Sequence, residues 1–114
     1  MQDLKERTFA FAVAVGKLVQ ELPYSTLNKA FTSQLIRPAS SVGANYRAAR
    51  RAESEADFIH KLKIVEEEID ESVYFLELLK RFNPSYDNKT DYLIDEGTQI
   101  LRIIVSSINK ALSK

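Results

Sequence analysis

Ser54-Glu55-Ala56-Asp57-Phe58-Ile59-His60-Lys61-Leu62-Lys63-Ile64-Val65-Glu66-Glu67-Glu68-Ile69-Asp70-Glu71-Ser72-Val73-Tyr74-Phe75-Leu76-Glu77-Leu78-Leu79-Lys80-Arg81-Phe82 contains neither glycine nor proline. Phe58, Leu62, Val65, Ile69, Val73 and Leu76 recur at spacings of three and four, which places them on one face of a helix. Ile64, Glu68, Glu71, Phe75, Leu78 and Phe82 form a second stripe beside the first. Ser54 followed by Asp57 resembles a capping box, with Asp in place of the usual Glu. The stretch therefore predicts one long helix from Ser54 to about Phe82. Two faces bearing apolar residues exceed what the surface helix of a monomeric bundle needs. They predict burial against the chain's own bundle on one side and against a second copy on the other.

The same periodicity extends in both directions. Leu4, Thr8, Phe11, Val15, Leu18 and Leu22 mark a first helix from about Asp3 to Glu21. Asp3 is its N-cap, and Pro23 ends it because the residue before a proline is pushed out of the α region. A second helix runs from Ser25, also an N-cap, to about Arg51. Its stripe is Leu27, Phe31, Leu35, Pro38, Val42, Tyr46 and Ala49. Ala39, Ser40, Gly43, Ala44 and Ala48 are small enough for a neighbouring helix to approach closely. Pro38 removes the bond to the carbonyl of Gln34, which predicts a kink within one helix. A restart at Pro38 is the alternative, but Arg37 would be a poor N-cap for it. Asn83 to Asn88 reads as a loop. A fourth helix from about Thr90 to Leu112 carries Leu93, Ile100, Ile104, Ile108 and Leu112, widened by Leu101 and Val105. Gly97 costs that helix about 1 kcal/mol against Ala. With no strand-like alternation, the chain predicts an all-α, antiparallel up-and-down four-helix bundle, one domain over residues 1–114.

Composition narrows the chemistry. The 114 residues contain 16 Lys plus Arg, 16 Asp plus Glu, one His and no Cys. Thiolate chemistry and a multi-His metal site in one chain are excluded. No segment reaches the ~18–20 apolar residues of a membrane span. Charged residues near the N-terminus interrupt any signal-like run, so a cytoplasmic protein is expected. His60 follows Asp57 as a single Asp-x-x-His, whereas a carboxylate-bridged centre in a bundle uses Glu-x-x-His on two helices and a Glu from each of the others. Gly16, Gly43 and Gly97 are isolated within helices and form no phosphate loop. No cofactor, metal or catalytic group is expected.

Charge is segregated although it sums to zero. Leu22 to Ala52 holds no acid and five bases: Lys29, Arg37, Arg47, Arg50 and Arg51. Glu53 to Glu77 holds nine acids against Lys61 and Lys63. Pairing across adjacent antiparallel helices is one explanation. The other is an outward basic cluster for phosphates, since Arg47, Arg50 and Arg51 fall within one turn. Glu68 and Glu71, lying in an apolar stripe, require a donor; Arg37, Asn45 and Arg47 on the second helix are the candidates.

Gln34-Leu35-Ile36-Arg37, Ser41-Val42-Gly43-Ala44-Asn45-Tyr46-Arg47-Ala48-Ala49, Asp57-Phe58-Ile59-His60-Lys61-Leu62-Lys63-Ile64-Val65-Glu66-Glu67-Glu68, Asp70-Glu71-Ser72 and Leu76-Glu77-Leu78-Leu79 give the chain a resemblance. It resembles the bacterial 23S ribosomal RNA intervening-sequence proteins, to which the accessory variability determinant of diversity-generating retroelements is related. The resemblance runs from Phe11 through the last helix and is most specific at Gly43-Ala44-Asn45 and Asp57-Phe58. It implies an antiparallel bundle assembling into a homopentamer, with no established enzymatic activity. It also implies that Arg37, Asn45, Asp57 and Glu71 are structural polar residues that cap or cross-link helices and interfaces. The retroelement relative resembles a basic pentamer that binds nucleic acid, whereas this chain is neutral.

Three functions are therefore compared. The first is a non-enzymatic, self-associating scaffold for RNA or a nucleoprotein, with Lys29, Arg47, Arg50 and Arg51 as contacts. The second is a protein–protein interaction module without nucleic acid. The third, the least supported, is a carboxylate-bridged metalloenzyme.

Overall fold

The computed structural model describes residues 3–114. Four helices, α1 (Leu4–Glu21), α2 (Thr26–Arg50), α3 (Glu55–Phe82) and α4 (Asp87–Leu112), form a rod of 47 × 23 × 19 Å. Helices adjacent in sequence pack side by side, α4 closes back onto α1, and the diagonal pairs do not meet. This is an antiparallel, up-and-down, all-α bundle. The α1–α4 seam is the least extensive.

Side-chain caps set three of the four starts. Asp3 accepts from the Glu6 amide, Ser25 from Asn28 and Ser54 from Asp57. Each relieves one of the amides that a helix N-terminus leaves without a partner. The reciprocal half of the box at Ser54 is displaced: the Asp57 carboxylate accepts from the Glu53 amide at 3.4 Å. α2 continues through Pro38 as one helix, with the proline ring buried. Ser40 Oγ donates back to the carbonyls of Ile36 and Arg37 just beyond it.

The core joins Phe11, Val15 and Leu18 of α1, Leu35 and Val42 of α2, Leu62 to Leu79 of α3, and Leu93, Ile100 and Ile104 of α4. The apolar stripes read from the sequence are thus the packed faces, with two corrections. α4 starts at Asp87, three residues before the expected Thr90, because Pro84–Tyr86 form a 3₁₀ turn that leads straight into it. Leu112 is 57% exposed, and Ala111 takes the last core position instead.

Two close approaches use glycine. A Cβ at Gly43 would stand 3.2 Å from Thr8 Oγ1 on α1. A Cβ at Gly97 would stand 2.8 Å from Val73 Cγ2 on α3 and 3.4 Å from Phe11 Cε1. Gly97 therefore does more than weaken α4: its missing side chain lets three helices converge.

Candidate nucleic-acid and assembly surfaces

Arg47, Arg50 and Arg51 occupy the C-terminal end of α2, where positive charge complements the helix dipole. All three are exposed. The Arg47 guanidinium lies over the Phe9 ring of α1, 5.9 Å from its centroid. Arg50 donates to Tyr46 Oη at 3.2 Å, which raises its pKa further. Arg51 is the C-cap. Lys29 does not belong to this cluster. It lies near the opposite end of α2, ~27 Å from Arg47 at 1.5 Å per residue.

Charge pairing across the α2–α3 groove is not what joins these helices. Ion pairs among the described residues are Arg7–Glu96, Lys61–Asp57, Lys80–Asp91, Lys89–Glu21 and Lys114–Glu55. None links α2 to α3. The polar tie within that groove is neutral to anionic: Asn45 Nδ2 donates to Glu68 Oε1 at 2.9 Å and to the Ser41 carbonyl at 3.1 Å. Burial pushes the Glu68 carboxyl above its ordinary pKa, opposed by the Asn45 and Ser41 bonds. Asp57 is held below its ordinary pKa by Lys61, one turn on.

Arg37 and Glu71 are both exposed. Glu71 has no donor on α2 within its own chain, so the partner expected for it there is not present among the described residues. The second stripe of α3 is accordingly divided. Ile64, Phe75 and Leu78 are half-buried, while Phe82 is 53% exposed. Phe31 packs against both Phe75 and Phe82, with ring centroids 6.3 and 6.0 Å away.

Sequence reasoning missed one buried polar lock. Asn28 and Asn83 exchange side-chain hydrogen bonds of 2.9 and 2.8 Å beneath the α3–α4 turn. Asn28 also donates to the Pro23 carbonyl, and Asn83 to that of Leu79. The lock fastens the start of α2 to the end of α3, with both amide groups satisfied. Only the turn composition around each Asn hinted at it.

His60 is exposed, and the described residues contain no group of three His, Cys, Asp or Glu side chains placed to hold a metal ion. Among the described residues no helix is long and apolar enough to cross a membrane.

Comparison with known proteins follows the same lines. A family model described as 23S rRNA-intervening sequence protein matches residues 2–106. A solved structure from Bacteroides thetaiotaomicron, a protein of unknown function from the S23 ribosomal protein family, is 32% identical. The match covers 93% of this chain and 98% of that one, with a TM-score of 0.82. No curated protein matches.

Proposed function

We propose a function on one premise: the chain belongs to the 23S rRNA-intervening sequence protein family. On that premise the protein is a non-enzymatic cytoplasmic scaffold that assembles with copies of itself, as a pentamer, and binds RNA or a nucleoprotein. The contacts are Arg47, Arg50 and Arg51. One observation carries this reading. All three arginines are exposed at one end of a helix that has no acid, and none has a carboxylate partner among the described residues. Free guanidinium groups in a cluster suit phosphate oxygens, which Arg engages by forked hydrogen bonds.

Assembly strengthens the argument. A ring of copies around an axis along the bundle places every α2 C-terminus on the same rim. The modest cluster of one chain then becomes a basic ring, although the net charge of each chain is zero.

The test is binding of fluorescently labelled single-stranded RNA at low and moderate salt, with wild type and with Arg47→Ala/Arg50→Ala/Arg51→Ala. Phosphate contacts give affinity that falls with salt, by a logarithmic slope of roughly 0.7 per neutralised phosphate. The triple variant loses at least tenfold in affinity and much of that slope. Equal binding by both proteins rejects the arginines. The protein–protein reading then stands, favoured by exposed Phe9 and Tyr74, which are 59% and 57% accessible.

A further inference from the structure

We propose that copies of this chain join head to tail, the α1–α2 face of one receiving the α2–α3 face of the next. The inference rests on the assembly half of the proposed function and names its joint.

The two faces differ in what they present. On the α1–α2 face Phe9 and Ile36 are 59% and 39% exposed. Beside Phe9 lies a shallow cavity of about 190 Å³ floored by Ala12, Ser40, Gly43 and Ala44 and bordered by Arg47. One turn beyond, a Cβ placed on Gly16 would meet nothing within 4 Å. The α2–α3 face presents half-buried apolar side chains and exposed acids instead. Ile64, Glu67, Glu71 and Leu78 follow helical spacing along its edge, so they share one side of α3.

Charge points the same way. Lys5, Lys29 and Arg47 are exposed bases along the first face, with one exposed acid, Glu6, at its margin. Glu67 and Glu71 are exposed on the second, and neither has an ion-pair partner among the described residues. A two-fold contact of the α2–α3 face with itself would set these acids against their own copies. A head-to-tail contact sets them against bases.

The registers agree as well. Thr8 faces Gly43 and Val19 lies beside Thr32, which brings Gly16 level with Leu35 and Lys5 level with Tyr46. Asn45 bonds Glu68 and Phe31 stacks near Phe82, which brings Leu78 level with Leu35 and Glu67 level with Tyr46. Rotation about an axis parallel to the rod keeps every level unchanged. Leu78 of one copy then enters the open space over Gly16 of the next, and Glu67 meets Lys5. Neighbouring sides of a four-helix bundle stand roughly 90° apart, so each joint turns the chain of copies by about a quarter turn. A quarter turn closes the series after four copies, and a turn of about 72° closes the pentamer that the family resemblance implies.

The test uses Gly16→Glu and Leu78→Lys, with circular dichroism to verify folding and analytical ultracentrifugation to read mass. Each single variant sediments as a 13.0 kDa monomer. An equimolar mixture assembles beyond the monomer with the two variants alternating, because the unaltered faces meet at one joint and the introduced Glu and Lys pair at the other. Both changes in one chain restore the ring through a Glu–Lys pair. Lys5→Glu and Glu67→Lys, at exposed positions, repeat the design on charge alone should Leu78→Lys perturb the fold. Single variants that keep the wild-type mass, or a mixture that stays monomeric, overturn this joint while leaving assembly intact. A monomeric wild type overturns the assembly reading as well. Loss of RNA binding with the ring preserved touches neither.

Discussion

Gly97→Ala is expected to destabilise the protein even though it improves the helix. In isolation the change favours α4 by about 1 kcal/mol, the penalty a helical glycine carries against alanine. The new Cβ would stand 2.8 Å from Val73 Cγ2, where ordinary carbon contacts lie near 3.5–4.0 Å. Something must therefore move by about 1 Å. Val73 cannot swing aside freely, since a β-branched side chain in a helix is held to one dominant rotamer. Phe11 Cε1, at 3.4 Å, blocks relief in the other direction. The remaining route is separation of α4 from α3, which loosens Ile100 and Leu76 in the core. Overpacking of this kind costs about 1–3 kcal/mol, and the rigid neighbours argue for the upper half. The net loss is about 1–2 kcal/mol. Equilibrium urea unfolding followed by circular dichroism measures it, at one fixed chain concentration because self-association adds to apparent stability. The decisive comparison is a double-mutant cycle with Val73→Ala. Removing the blocking methyls lets the alanine at 97 express its helix preference, so the two changes couple favourably by about 2 kcal/mol. Gly97→Ala equal to or more stable than wild type, or effects that simply add, would refute the packing argument.

Two further outcomes follow from polar groups. Asn28→Ala leaves the Asn83 amide oxygen without its donor in a buried site and is expected to cost about 2 kcal/mol in the same unfolding assay, whereas Asn28→Leu/Asn83→Leu, which removes both partners, costs less than the single change. The pKa of Glu68 is raised by burial, so the folded state binds its proton more tightly than the unfolded chain does. Stability from this group is present at low pH and falls as pH rises from the ordinary carboxylate value near 4.5 through the raised one. Glu68→Gln keeps the acceptor for Asn45 and removes that dependence, so its stability relative to wild type should improve across this range; a difference that is flat with pH refutes the assignment.

The helices were legible because their signals are local. Asp3, Ser25 and Ser54 cap by reaching three residues along their own chain, and the apolar spacings report a face whatever that face meets. Pro38 was legible for a related reason: the absence of a good cap at Arg37 argues for continuity before any tertiary contact is known. What was hidden depends on pairs distant in sequence. Gly97 looked like a weakness because its reason lies in Val73 and Phe11 on other helices. The Asn28–Asn83 lock joins the first turn of α2 to the C-cap of α3, and Asn near a helix end is common enough to carry no signal by itself. The early start of α4 reflects a 3₁₀ turn whose Pro84, Ser85 and Tyr86 read equally well as loop. Among the candidate site residues, helical spacing grouped Arg47, Arg50 and Arg51 and already set Lys29 further along the same helix.

The segregated charges bear on function through where they are left unpaired. If the bases of α2 neutralised the acids of α3 within one chain, the composition would be explained and no surface would remain for a partner. Instead the neutral Asn45 reaches Glu68, while Arg37, Arg47 and Arg51 are exposed and form no ion pair with α3 among the described residues. Leaving such charges in water costs the folded chain almost nothing, because an exposed pair contributes only about 0–1 kcal/mol when it does form. Folding stability therefore does not account for an acid-free helix beside an acid-rich one. Contacts between molecules, as in the assembly proposed above, would account for it, since there a like charge in the wrong place is costly and a complementary one sets orientation. In the assembly proposed above, Leu78 serves the joint at the level of Leu35, while Glu67, at the level of Tyr46, meets bases beside the arginines proposed for phosphate, so the end of α2 borders both contacts.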